Sequence, residues 1–125
     1  MYCVETMNNL WQFIEPSLQK FRDSPAWVTR GTPKRVIAYH EIYQAALAQA
    51  QILGKSGIQP GDTVGITAPN GPEFCVAALA AWKLGATIAP IHQSYTEQEI
   101  TSQIRAIQPK IVMTHDAKIK FHHCL

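Results

Sequence analysis

What this chain lacks narrows its class before any motif is read. No apolar run approaches the roughly 20 residues needed to cross a bilayer, and the first residues hold no basic flank leading into an apolar core. The expected compartment is therefore cytoplasmic. Three cysteines, Cys3, Cys75 and Cys124, are too few and too scattered for a disulfide framework; they read as reduced thiols, with Cys75 buried and inert in a helix. Charge is scarce as well, with 16% Asp, Glu, Lys and Arg against 46% hydrophobic residues. That balance excludes a disordered chain, and it fits either a large core or a surface that meets another part of a larger protein. The formal net charge of +2 is spread out, with no basic stripe carrying interleaved aromatics, so nucleic acid is not an expected partner. No internal repeat or low-complexity linker divides the 125 residues, a length that suits one domain.

What is there is organised around residues 61–91. Residues 63–68 are β-rich and bounded by Gly61-Asp62 before and Pro69-Asn70-Gly71-Pro72 after, the pattern of a short buried strand. Asn70 is the expected N-cap of the helix that follows, with Pro72 in its first turn and Glu73 three places on, as in a capping box. From 74 to 84 that helix is apolar nearly all round, with only Lys83 charged, which predicts contact on more than one side. Gly85 closes it, and residues 86–91 return as a second strand, giving a right-handed parallel crossover.

Residues 7–21 predict a covering helix whose buried face is Leu10, Phe13, Ile14, Leu18 and Phe21, kinked or split at Pro16. Residues 26–29 and 35–39 predict a β-hairpin around Gly31-Thr32-Pro33. A helix over 41–53 follows, with Ile42, Tyr43, Ala46, Leu47, Ala50 and Leu53 as its buried stripe and Gly54 and Gly57 ending it. Thr96 and Glu99 form a second capping box, Ile100, Ile104 and Ile107 recur at helical spacing, and Pro109 stops the pattern. Residues 110–114 give a third strand. From residue 63 the order is β-α-β-α-β, that of a doubly wound, flavodoxin-like parallel sheet with flanking helices, so the fold class is α/β. Residues 1–115 form the structured part; 116–125 lose the apolar rhythm and read as an unstructured tail.

Candidate chemistry is sparse. Gly54-Lys55-Ser56 looks like the end of a Walker A loop, but position 49 is Gln where that loop needs Gly, and Gly54 follows a helix instead of a strand. No Gly-x-Gly-x-x-Gly follows any strand. The 69–72 loop opens a helix at a strand end, where free N–H groups hold anions; capping by Asn70 and repulsion by Glu73 weigh against a phosphate there. His122, His123 and Cys124 are metal-ligand types without a second cluster at zinc spacing. His40, His92 and His115 have no nucleophile or acid recognisable by spacing. No catalytic, cofactor-binding or metal residue is therefore assigned.

Taken in order, Tyr39-His40-Glu41-Ile42, Gly61-Asp62-Thr63-Val64, Asn70, Glu73-Phe74, Leu79-Ala80, Trp82-Lys83-Leu84-Gly85-Ala86 and Pro90 resemble the adenylate-forming (AMP-binding) ligase superfamily, of the acyl-CoA or acyl-carrier-protein synthetase type. The resemblance covers residues 10–114 and implies the N-terminal subdomain of that fold. It further implies an ATP-dependent acid–thiol ligase, which adenylates a carboxylate and passes the acyl group to a thiol, as in fatty acid metabolism. ATP and Mg²⁺ are expected for the complete family enzyme and no cofactor for this chain, because the family's Ser/Thr/Gly-rich loop with Pro-Lys-Gly, its ribose-binding Asp and its adenylating Lys have no match here. The chain is then expected to be an inactive N-terminal fragment, a binding module that docks on a separately encoded remainder, or a functionless remnant. The remainder of the ligase is the implied partner, and an exposed sheet edge predicts self-association. The loss of pattern after Asp116 predicts that the DNA beyond Leu125 encodes the missing loop in some reading frame.

Overall fold

Val64 and Ile66 hold the centre of the molecule, on a strand whose alternation gives its two faces different neighbours. The computed structural model describes residues 9–114. In chain order the elements are α1 (Leu10–Lys20), β1 (Pro25–Val28), β2 (Val36–Ala38), α2 (Tyr39–Lys55), β3 (Thr63–Thr67), α3 (Pro72–Lys83), β4 (Thr87–Pro90), α4 (Glu97–Ile107) and β5 (Ile111–Thr114). β1 and β2 form the antiparallel hairpin. β3 pairs in parallel with β4 on one side and β5 on the other, in the order β4-β3-β5. Crossing from β3 to β4 and then back past β3 to β5 reverses direction, so two right-handed crossovers place α3 and α4 on opposite faces. This is the α/β, doubly wound arrangement that the element order predicts.

α3 is apolar all round because it is a middle layer. Ala77, Ala78, Ala80 and Ala81 are buried in one cluster with Val64 and Ile66 of β3 and with Ala50 and Leu53 of α2. Leu79 faces a second cluster with Trp11, Ile42 and Ala46. Alanine suits this position, since it brings helix and sheet close without losing side-chain entropy. On the opposite face Gly65 stands beside Val112 of β5, and a Cβ there would lie 3.1 Å from a Val112 methyl and 3.4 Å from Ile91. Absence of a side chain makes room for the branched one next door.

The helix ends follow local chemistry. Glu41 reaches back so that its Oε2 accepts the Ala38 N–H (2.8 Å) at the start of α2. At α4 the box is reciprocal, with Thr96 Oγ1 accepting the Glu99 N–H (3.3 Å) and Glu99 Oε2 accepting the Thr96 N–H (2.7 Å). α3 ends in a Schellman motif: Ala86 N–H donates to Ala81 O, Gly85 N–H donates to Trp82 O, and Gly85 has φ +72°.

Four expectations are corrected. The N-cap of α3 is Gly71, not Asn70, and no side chain caps it. Pro72 takes the first helical position, where a missing N–H costs nothing, which leaves Asn70 one residue too early and Glu73 too near the end to close a box. The buried face of α1 is Trp11, Ile14 and Leu18, while Leu10, Phe13 and Phe21 are exposed. The Trp11 ring stacks on Tyr43 at 5.8 Å, and seating this largest side chain rotates the helix away from the expected stripe. Pro16 lies within one continuous helix capped by Asn9, so α1 is not split there, and α2 runs through Gly54 to Lys55. The expected tail 116–125, with His115, His122, His123, Cys124 and Cys3, lies outside the described residues.

Candidate functional site

The topological switch point, between β3 and β5, is where ligands of doubly wound sheets bind, and a cleft of about 650 Å³ opens there. Its floor is Ile66 and Ala68 from the end of β3 and Met113 and Thr114 from β5. One wall is the first turns of α3, with Pro72, Glu73, Val76 and Ala77; the other is the start of α2 and the β2 strand, with Ile42, Ala45 and Arg35 to Ile37. Local sequence accounts for both walls. Pro72 starts α3 at the strand end, and Glu41 starts α2 directly off β2, so two helix N-termini flank one sheet end.

The charged groups of the cleft are engaged with its own walls. Arg35 Nη1 lies 3.3 Å from Glu73 Oε1, a half-exposed pair across the mouth, which contributes at most about 1 kcal/mol. Glu41 is held by the Ala38 N–H. The Glu73 carboxylate also curls over the start of its own helix: its Oε2 would lie 3.2 Å from a Cβ on Gly71. A negative side chain therefore complements the positive helix end where a phosphate would have to sit. Of the two sequence arguments against an anion at the 69–72 loop, the Glu73 carboxylate does lie at the helix start, whereas the Asn70 cap does not form.

The residues of this cleft do not fit a nucleoside triphosphate or its Mg²⁺. The one guanidinium lining it is paired, and both carboxylates lining it have partners. Among the described residues, no group of three His, Cys, Asp or Glu side chains is placed to hold a metal ion. The cleft offers mainly apolar surface, suited to packing.

The other residues singled out from sequence are dispersed. His40 Nδ1 donates to Arg22 O (2.8 Å), joining α2 to the turn after α1. His92 Nδ1 accepts the Ser94 N–H (3.2 Å) with Ser94 Oγ at 2.6 Å, a local turn after β4. Cys75 is a half-buried free thiol, and burial pushes its pKa up, away from nucleophilic reactivity. Asp62 is held below the usual carboxylate range, first by accepting the Gln59 N–H and then by Lys110. Lys110 Nζ in turn donates to Asp62 Oδ2 (3.0 Å) and Gly57 O (2.6 Å). This knot ties the turn before β3 to the start of β5. The Arg35–Glu73 pair could not be found from sequence, because its members are 38 residues apart and only the fold brings them together. Among the described residues, no helix is long and apolar enough to cross a membrane.

Comparison with known proteins agrees with this architecture. The family model described as "AMP-binding enzyme" matches residues 14–124. The chain is similar to 4-coumarate–CoA ligase 2 of Nicotiana tabacum, 33% identical over 114 residues, which are 89% of this chain and 21% of that protein. It is also similar to the mitochondrial acyl-CoA synthetase short-chain family member 3 of Rattus norvegicus, 34% identical over 74% of this chain and 13% of that one. Among solved structures, the N-terminal subdomain of Klebsiella oxytoca NpsA in complex with 3-hydroxybenzoyl-AMSN superposes with a TM-score of 0.78 at 25% identity. It covers 87% of this chain and 27% of that one. The chain thus spans about a fifth of the first curated relative's length. With a family model matching most of its residues, and with the βαβαβ core found in the N-terminal subdomain of NpsA, this chain belongs to the AMP-binding enzyme family.

Proposed function

We propose that this chain is the N-terminal building block of an ATP-dependent acid–thiol ligase and has no adenylating activity of its own. One observation carries the reading, that the chain spans 21% of the ligase it resembles; a switch-point cleft whose charged side chains are all engaged by its own walls supports it. In the complete family enzyme, ATP and Mg²⁺ supply the leaving group and the charge stabilisation for activating a carboxylate. Here the chain's own residues do the structural part. They lay down the parallel strands, present the open edge of β5 and line the cleft that the remainder covers. The proposed compartment is the cytoplasm. The acid is left open, since the named relatives include 4-coumarate and short-chain acyl ligases.

Purified chain, incubated with ATP, Mg²⁺, labelled pyrophosphate and acetate, octanoate or 4-coumarate in turn, is expected to show no ATP–pyrophosphate exchange above a no-protein control. Exchange that depends on one acid would overturn the reading. A second reading, that the chain is a module completing a separately encoded remainder, is favoured by β5, whose four residues are all only half-buried and which, among the described residues, pairs on one side alone. Tagged chain recovered from its native cell distinguishes the two: the module reading requires a stoichiometric partner carrying the phosphate-binding loop.

A further inference from the structure

The end of the sheet opposite the cleft has a different character. α2, α3 and α4 each run antiparallel to the strands they feed, so their C-termini gather where β3, β4 and β5 begin. Each carries acids in its first turn, Glu41, Glu73, and Glu97 with Glu99, and a base in its last, Lys55, Lys83 and Arg105. Lys110 joins them there, with Asp62 as its ion-pair partner. Among the described residues, Lys55, Lys83 and Arg105 have no carboxylate at ion-pair distance. Each helix C-terminus contributes only about half a negative charge against the full charge of each side chain, so this end stays positive.

Between the C-terminal halves of α2 and α3 lies an open groove of about 430 Å³, with Leu47, Ala50 and Leu84 as its floor and Lys55 and Lys83 on its rim. Gly54 keeps the groove open at its lower end, where a Cβ would lie 3.9 Å from Leu84. Ile52 adjoins Lys55 on the outer side of α2 and is 57% exposed. Apolar floor, flanking isoleucine and two cations without carboxylate partners therefore form one strip. The Lys83 ammonium lies 5.2 Å from the centre of the Trp11 ring, which holds it at the rim. The nearest acid along α1, Glu15, accepts a hydrogen bond from the Tyr43 hydroxyl (3.0 Å).

We propose that this groove docks an acidic amphipathic helix of a partner protein, with leucine-type side chains laid between α2 and α3 and carboxylates against Lys55 and Lys83. The Lys55 and Lys83 ammonium groups supply the positive charge that carboxylates complement, and the apolar floor between them suits a helix that carries leucine-type side chains beside its acids. A trough between two helices suits a third helix. The site lies at the far end of the sheet from the cleft, so it does not depend on the ligase reading.

The test uses the full chain and a fluorescent Leu/Ala/Glu peptide of about 18 residues, long enough to form a helix, followed by anisotropy at low and high salt. Saturable binding is expected, weakened about tenfold by Lys55→Glu, less by Lys83→Gln and Ile52→Ser, and unaffected by Lys34→Glu in the hairpin. Circular dichroism and melting curves establish that each variant is folded; a Lys55→Glu protein that fails to fold is replaced by Lys55→Gln, for which weaker binding is still required. Absence of saturable binding to the folded wild type, or equal binding by folded wild type and Lys55 variants, overturns the proposal. So does binding of phosphatidylglycerol/phosphatidylcholine vesicles in place of the peptide, which would assign the face to a membrane.

Discussion

The two faces of the parallel sheet are built to different depths. On one face, Val64 and Ile66 meet α3, and α3 is itself roofed by α2, so three layers share one core. On the other, α4 is the crossover helix, and of its eleven residues only Ile100 is buried. The difference shows in helix polarity: α3 has alanines on both sides, whereas α4 has a single stripe of isoleucines and a polar back. A helix's own sequence thus reports how many layers lie beyond it.

This contrast is broken most directly by paired truncations. Ile66→Ala, at a site 1% exposed, is expected to cost about 3 kcal/mol. Val112→Ala, on the half-buried β5 strand, is expected to cost about 1 kcal/mol, because less surface returns to water. Urea melts of both give the ratio, and equal losses would mean the faces are equally deep. Thr96→Ala sharpens the comparison on the thin side. It removes the side-chain half of the α4 box and should lower stability by about 1 kcal/mol, with hydrogen exchange rising first in residues 97–100.

Acid gives a smaller and more local effect. The Asp62 carboxyl has its pKa lowered by the Gln59 N–H and by Lys110. Its contribution is therefore complete above the ordinary carboxylate pKa and disappears as pH falls through the depressed folded value. Between the ordinary carboxylate pKa and the depressed folded value, melting midpoints should fall less with pH in Asp62→Asn than in the wild type; parallel slopes there would mean the knot contributes nothing. The smallest change expected is in Asn70→Ala, within about 0.5 kcal/mol, because Gly71 holds the cap position. A loss near 1 kcal/mol would restore Asn70 as the cap.

These residues also show what the sequence could and could not reveal. β3, α3, β4, α4 and β5 were legible because each junction carries its own punctuation, such as Gly85 at a left-handed turn or Thr96 with Glu99. The register of α1 was not, because Leu10 and Phe13 fit the helical period as well as Trp11 and Ile14, and only the seat beside Tyr43 decides between them. The α3 cap was misread since two adjacent residues, Asn70 and Gly71, are both acceptable N-caps. The cleft was invisible for a different reason: its walls come from β2, α2, α3 and β5, and no local pattern encodes their meeting.

Gly65 has a use for anyone who would divide this protein. It pairs in register with Val112, and its missing side chain leaves a notch that the valine methyls enter. A cut in the loop at residues 92–95 would free α4 and β5 as a separate peptide, and the notch would then act as a keyway. A peptide with valine at that position would seat beside β3; one shifted by a residue would present Ile111 or Met113 to the notch with the wrong face of the strand. The central glycine thus serves as an address, selecting which strand becomes the neighbour and in what alignment.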